Sequence, residues 1–361
     1  MRRLEVDGSL AELADNASVV TINDVAAAAG VSIRTASRVL NASPNVNSKT
    51  RARVQKVIRD LSYVPNLRAR ALASKRSFML GLVHDDPNAE IADQMQRGIF
   101  GECAKQGYEL LVHPCDYKSP TIVDNVMTFV RRAQVDGLII IAPVSENALL
   151  AKALGTNGTP VVGVASAALD HFGLMIVSRE REAGALIADH FVELGHKDIG
   201  FISGPRALRA ATERRQGFVS ALGLHNLRMR HEHDLEGDWS FESGVSCARK
   251  LLGGRKRPTA VFASNDRMAA GVLKVAAELK IRVPKGLSVV GFDDSYFAQV
   301  LTPALTTINR PIAQIGERAA QWLLSDKASM ASAGGESLLK YFDLKLTIRE
   351  STAPAPRSAR P

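Results

Sequence analysis

Apolar positions recur at helical spacing in three short stretches between residues 21 and 61, and from residue 78 onward short apolar runs alternate with longer amphipathic segments. In the first stretch Thr21 can cap a helix, with Asp24 answering it three residues later, and Val25, Ala26 and Ala29 make the inward face. Gly30 can supply the positive φ of a sharp turn, Val31 can staple the next helix, and Ser32 can cap it. In that second helix Ala36, Val39 and Leu40 fall on one side, leaving Ile33, Arg34, Ser37 and Arg38 on the other. A third helix follows Asn47 and Ser48, with Val54, Val57, Ile58 and Leu61 closing a three-helix core and Lys49, Arg51 and Arg53 left available for phosphates. Pro65 ends the module. The segment NLRARALASKR comes next, capped by Asn66 and too short to stay helical alone.

Beyond it, FMLGLV, YELLV, GLIIIAPV and PVVGVAS alternate with helical patterns over 89–106, 120–132 and 145–154. This strand and helix alternation predicts an α/β body, a parallel sheet with helices on both faces. The pattern restarts with LMIVS, IGFIS, TAVFASND and LSVVGFDD, which predicts two doubly wound lobes, with TTI and DLKLTIR crossing between them. The expected organisation is a flexible extension over 1–18, a helix-turn-helix module over 19–65, a hinge over 66–77 and a body over 78–352, followed by a disordered tail over 353–361. Within the body the lobes are expected to comprise 78–177 with 309–339, and 178–308 with 340–352.

Charge sharpens this division. Residues 19 to 77 hold eleven Lys or Arg against Asp24 and Asp60, which accounts for the whole formal charge of +9 and leaves the rest of the chain balanced. So local a basic excess is the footprint of a polyanion-binding domain, although a solvated basic helix would also produce it. The composition, 46% hydrophobic but only 5% aromatic, suits helices packed on parallel strands. Cys103, Cys115 and Cys247 are odd in number and lack C-x-x-C spacing, so reduced thiols and no metal are expected. No signal-peptide pattern and no apolar stretch of spanning length is found, and a cytoplasmic protein without a membrane partner or cofactor is expected.

The second helix of the module fits a recognition helix. Its N-terminal end can enter the major groove, where arginine bonds guanine bidentately, an apolar side chain meets a thymine methyl and serine bonds phosphate. In the body, ligands are expected beyond the carboxyl ends of strands, in the cleft between lobes. Arg214, Trp239, Asn265 and Asp293 lie at such ends, with Asp85, Asn88 and Tyr117 as polar candidates on the other lobe. Together they could grip a polyhydroxylated ligand, Trp239 stacking on a sugar face. Asn or Asp after a strand is also a common helix cap, and a lone tryptophan is commonly core. His231-Glu-His233 lacks the spacing of a zinc protease and reads as an exposed loop, and His196 reads as structural.

DVAAAAGVSIRTASRVLN, TRARVQKVIRDLSYVPN and RARALA resemble the headpiece and hinge helix of LacI/GalR repressors, and LGHKDIGFISGP, RRQGF, EGDWS, PTAVFASNDRMAAGVL, LSVVGFDDS and LTPALTTI resemble that family's sensor domain of periplasmic-binding-protein type. The resemblance implies DNA contacts from Thr21, Ser32, Ile33, Arg34, Thr35, Ser37, Arg38, Asn41, Asn66, Arg70, Leu72 and Ala73, with Leu72 wedging into the minor groove at the operator centre. It carries Arg214, Trp239, Asn265 and Asp293 over to effector-contacting positions. Two positions depart from the galactoside-binding pattern within the family: Ala165 stands where an aspartate holds ligand, and Ile141 where an asparagine does. The expected function is thus a sequence-specific regulator of a pseudo-palindromic operator, controlled by a sugar or sugar derivative, with a purine or nucleoside as the alternative effector. A homodimer is expected because one hinge helix cannot fill a palindromic centre and the tail STAPAPRSARP has no leucine heptad for a tetramer. A sugar carrier would share the lobes but not the basic module. An enzyme using Asp293 and Asp294 lacks any G-x-S-x-G, G-x-x-x-x-G-K or G-x-G-x-x-G support.

Overall fold

The computed structural model describes residues 20–40, 43–63, 76–85, 90–254, 256–325 and 338–356. It divides into two compact units at residue 78.

The first unit holds α1 (Ile22–Ala28), α2 (Ile33–Leu40) and α3 (Ser48–Asp60). The Asp24 carboxylate reaches back to accept from the Thr21 N–H and from its hydroxyl, both at 2.7 Å. Those donors, the backbone one foremost, hold the Asp24 carboxyl below its usual range. Gly30 turns the chain at φ +59°, the Ser32 hydroxyl accepts from the Thr35 N–H at 3.2 Å, and Asn47 Oδ1 accepts from the Thr50 N–H at 2.8 Å. Val25, Ala26, Ala29, Ala36, Val39 and Val54 are buried together, with Val31, Val57, Ile58 and Leu61 packed around them. One cation departs from expectation. Arg51 is turned inward, its guanidinium donating to the carbonyls of Ser43 and Val46, so it braces the α2–α3 loop while Lys49 and Arg53 stay exposed.

The second unit is built on two parallel sheets. The six-stranded one contains β1 (Met79–His84), β2 (Glu109–Pro114), β3 (Gly137–Ile141), β4 (Val161–Ala165), β5 (Leu174–Ser178) and β11 (Leu338–Phe342), in the order β11-β5-β4-β3-β1-β2. The four-stranded one contains β6 (Ile199–Ser203), β7 (Asp234–Glu236), β8 (Ala260–Ala263) and β9 (Ser288–Val290), in the order β7-β6-β8-β9. A separate antiparallel pair, β10 (Thr307–Asn309) with β12 (Lys345–Thr347), carries the chain between the lobes. Successive residues of the smaller sheet serve opposite cores: Phe201 and Phe262 join a cluster with Phe191 and Phe218, while Ile202, Val261 and Ala263 join one with Ala248, Met268 and Val272.

Three helix pairs cover these sheets, and each closes on a pair of glycines. They are α4 (Glu90–Gln106) with α12 (Ile312–Leu323), α7 (Glu180–Glu193) with α8 (Arg209–Leu224), and α9 (Phe241–Leu252) with α10 (Asp266–Glu278). A Cβ on Gly98 would lie 1.8 Å from the Ala313 carbonyl oxygen, one on Gly217 1.7 Å from that of Arg181, and one on Gly244 2.5 Å from that of Met268. From the other side, a Cβ on Gly316, Gly184 or Gly271 would lie 2.5, 2.3 or 2.6 Å from the nearest backbone atom of the partner helix. Backbone thus meets backbone at each crossing, which no side chain would allow.

Two expected boundaries are corrected. The return to the second lobe falls after Phe342 rather than at 340, because Lys340, Tyr341 and Phe342 still pair with β5. The tail does not become disordered at 353: the Ala353 carbonyl accepts from Ser288 Oγ at 3.1 Å and lies 3.1 Å from His196 Nε2, and the Ala355 N–H donates to the Leu194 carbonyl at 2.8 Å. His233 is likewise buried rather than exposed, its Nε2 3.1 Å from the Lys256 carbonyl. Residues 1–19 and 357–361 lie outside the described residues.

The crossings give a direct test. Gly217→Ala should destabilise the body by about 1–3 kcal/mol through overpacking. Gly223→Ala, in the same helix with nothing within 4 Å of the added methyl, should be neutral or stabilising by roughly 0.5–1 kcal/mol. Urea unfolding of the two variants checks the contrast.

Candidate functional site

On the first unit, α2 presents Ile33, Arg34 and Arg38 to solvent, with Ile33 52% exposed despite its apolar side chain. Thr21 and Ser32 are exposed as well, and Thr35 and Ser37 half-buried. Ser32 and Thr35 are engaged with each other, their hydroxyls 2.9 Å apart, so both serve first as the helix cap. An exposed isoleucine flanked by arginines on one short helix is the surface a major groove can use. Asn41, Asn66, Arg70, Leu72 and Ala73 lie outside the described residues.

On the second unit the strand-end residues converge on a knot of buried charge. Arg214, in the second turn of α8, donates from Nε to Glu180 Oε2 at 2.8 Å and from Nη1 to the Ser264 carbonyl, and its Nη2 lies 3.6 Å from Asp293 Oδ1. Arg310, just after β10, donates from Nη1 to Asp293 Oδ1 at 2.9 Å and places Nη2 3.2 Å from Glu180 Oε1. Two arginines and two carboxylates therefore alternate in a ring. Full burial opposes ionisation of Glu180, but the charges of Arg214 and Arg310 outweigh it and hold its carboxyl below the usual range. The Arg214 guanidinium also lies over Phe292, 3.7 Å from the ring centroid, and 5.2 Å from that of Trp239. Asp293 reaches the ring from a strand-end turn at φ +110°, a left-handed conformation uncommon outside glycine.

The other candidates divide. Trp239 is half-buried at φ +72°, its ring against the Gly204 backbone. Asn265 caps α10, Oδ1 accepting from the Met268 N–H at 2.9 Å, while its Nδ2 donates to the Trp239 carbonyl at 3.0 Å. It fixes Trp239 in place. On the first lobe, Asp85 follows β1 and accepts from the Tyr117 N–H at 3.0 Å, and the Tyr117 ring packs on the core, so this pair shapes a loop at the strand ends. Asn88 lies outside the described residues. Facing the second lobe are Glu90, 3.3 Å from Arg267 Nε, and Glu146, in the turn after β3.

Residues 21–66 match the family model described as bacterial regulatory proteins, lacI family, and residues 188–352 match a periplasmic binding protein-like domain. The repressor PurR of Serratia proteamaculans is 33% identical over 340 residues, covering 94% of this chain and 98% of that protein. The probable repressor ExuR of Bacillus subtilis is 31% identical over 318 residues, covering 85% and 91%. This chain belongs to the LacI family. It is a DNA-binding transcriptional repressor of LacI type, with a helix-turn-helix headpiece and a body of two periplasmic-binding-protein-like lobes. Among solved structures, the Lac repressor dimer bound to operator and the anti-inducer ONPF is similar over 93% of this chain and all of that one (TM-score 0.75, 28% identity). The regulator CelR in complex with cellobiose is similar over 92% and 99% (TM-score 0.68, 27% identity).

In this LacI-type repressor the sequence reading missed Glu180, Arg310, Glu90 and Arg267. Arg310 directly follows TTIN and Glu180 stands two residues after LMIVS, so the strand-end rule that singled out Asp293 reaches both. Glu90 and Arg267 open helices, and only the tertiary fold brings them together. Among the described residues no His, Cys, Asp or Glu cluster has metal-holding geometry. Burial pushes the thiols of Cys103 and Cys115 up to about 11, which keeps both as thiols at neutral pH.

Asp266 lies beneath the cleft, its Oδ1 accepting from the Thr307 hydroxyl at 2.6 Å and its Oδ2 from the Ser295 N–H at 2.7 Å. Burial, reinforced by the Asp293 charge, pushes it up to about 8 despite these donors. Between roughly pH 4 and 8 the folded repressor then holds a proton that the unfolded chain has released, so stability falls as pH rises, by up to about 1.4 kcal/mol per pH unit. His190 and His196, held down by burial, act in the opposite sense at the acid end of this window. Asp266→Asn is therefore compared with the unaltered repressor at each pH: in urea titrations from pH 5 to 8 the variant should lose much of the downward slope.

Proposed function

We propose that this repressor binds a pseudo-palindromic operator as a homodimer in the cytoplasm, and that a sugar or sugar derivative held between its lobes sets its operator affinity. It has no catalytic role. The observation that carries the reading is the convergence of Arg214, Asp293 and the Trp239 ring at the carboxyl ends of the second lobe's strands, where donors, acceptors and an aromatic face stand together, as ligand hydroxyls require. The cellobiose complex of CelR supports a carbohydrate. The operator-bound Lac repressor dimer supports the pairing and the DNA target.

Arg34 and Arg38 would read base edges from α2, Ile33 would meet a thymine methyl, and Leu72 would wedge the central step. A ligand moves operator affinity only by binding two lobe arrangements unequally, and a coupling of ~1–3 kcal/mol is typical. A purine is the second reading. It is favoured by the similarity to PurR and by Ala165 and Ile141, buried apolar residues at the ends of β4 and β3.

The test is operator binding followed by fluorescence anisotropy against a panel of neutral sugars, sugar acids and purines. A sugar should shift the operator affinity roughly 5–150-fold, and Asp293→Asn should abolish the shift. A response to purines alone overturns the sugar assignment.

A further inference from the structure

Glu180 has a place that the reading of the cleft as an effector site does not explain. Its side chain is fully buried, yet it carries a charge into the middle of the groups that would hold the ligand. We propose that Glu180 is a specificity-determining residue: a built-in carboxylate that occupies the arginine pair Arg214 and Arg310, closing the cleft to effectors that bear a carboxylate and leaving it to uncharged polyhydroxylated ones. This rests on the proposed effector site.

Donor geometry comes first. A ligand carboxylate gains most from two parallel N–H groups of one guanidinium. Arg214 spends Nε on Glu180 and Nη1 on the Ser264 carbonyl, and turns Nη2 toward Asp293. Arg310 spends Nη1 on Asp293 and brings Nη2 to 3.2 Å from Glu180 Oε1 as an ion pair without a hydrogen bond, while its buried Nε has no hydrogen-bond partner among the described residues. Each guanidinium already lies against a carboxylate of the chain itself, so an incoming one has to compete with the buried Glu180 or with Asp293.

The surroundings point the same way. Burial, together with the Asp293 charge, holds the Glu90 carboxyl above its usual range, against the pull of Arg267. Burial and the charges of Glu180 and Glu213 do the same to Glu146, against Arg209. Burial is the largest cause for both acids, and negative charge across the cleft adds to it, as a further carboxylate would. Hydroxyls meet no such repulsion, since they are uncharged and can donate to the carboxylates.

Chemical rescue tests this without knowledge of the effector. Glu180→Ala leaves the arginine pair short of one carboxylate and opens space for a small one. Acetate, titrated against chloride at constant ionic strength, should raise the thermal midpoint of Glu180→Ala saturably, at a concentration at least tenfold below any effect on the unaltered repressor. If the variant does not fold unaided, its refolding yield from urea in acetate against chloride reads the same rescue. Equal responses from variant and unaltered protein, or no rescue, would show that Glu180 only clamps the crossover and would overturn the proposal. So would saturable quenching of Trp239 in the unaltered repressor by gluconate or galacturonate. Failure of every sugar to alter operator binding would instead count against the effector reading, while acetate rescue would still show that the arginine pair accepts a carboxylate only once Glu180 is gone.

Discussion

Two buried charges and two that are nearly so have to neutralise one another, and the ring of Glu180, Arg214, Asp293 and Arg310 meets that demand where the two lobes of the body exchange chain. Removing a single partner from such a group typically costs about 3–5 kcal/mol, because the charge left behind is neither hydrated nor paired. The ring therefore fixes several things at once: the start of α7, the second turn of α8, the strained turn after β9, and the segment that leaves β10 for the first lobe. The proposed effector site therefore lies on the covalent crossing between the two lobes.

The glycine crossings explain how rigid bodies can flank so polar a centre. With α7 on α8, α9 on α10 and α4 on α12 each closed to backbone contact, the layers are held by close approach on either side of the sheets. Between the lobes run the crossover segments and long-range pairs such as Glu90 with Arg267, which joins the first turns of two helices on different lobes. Such a pair, partly exposed, is weak enough to open and charged enough to favour one arrangement.

Much of the fold was legible because periodicity and local signals agreed. The alternation of apolar runs with amphipathic segments marks both parallel sheets, except that LMIVS is β5 of the first lobe's sheet rather than the start of the second. Thr21, Gly30, Ser32 and Asn47 mark the headpiece helices by capping and turning chemistry that the structure repeats. β11 was not legible: Leu338 to Phe342 is a mostly exposed edge strand, and nothing local distinguishes it from a loop. The candidate site was legible where a polar residue followed a clear apolar run, as with Asn265 and Asp293; Arg214 lies inside a helix, and the family resemblance of RRQGF is what marked it. For Asn265 the commonplace alternative of a helix cap describes what the side chain does. Arg51 shows the converse limit, since a basic residue on a basic helix can be turned to its own backbone carbonyls, and sequence does not reveal the direction of a side chain.

The central claim is that ligand acts by changing the arrangement of the two lobes about this buried ring. The most direct measurement is the distance between spin labels on the exposed Leu149→Cys and Leu224→Cys positions, one on each lobe, with the native cysteines replaced and labelled chains diluted into unlabelled ones. The account predicts that saturating effector shifts the distance distribution, with the same midpoint as the change in operator affinity. An operator affinity that changes while the distance stays fixed would contradict it.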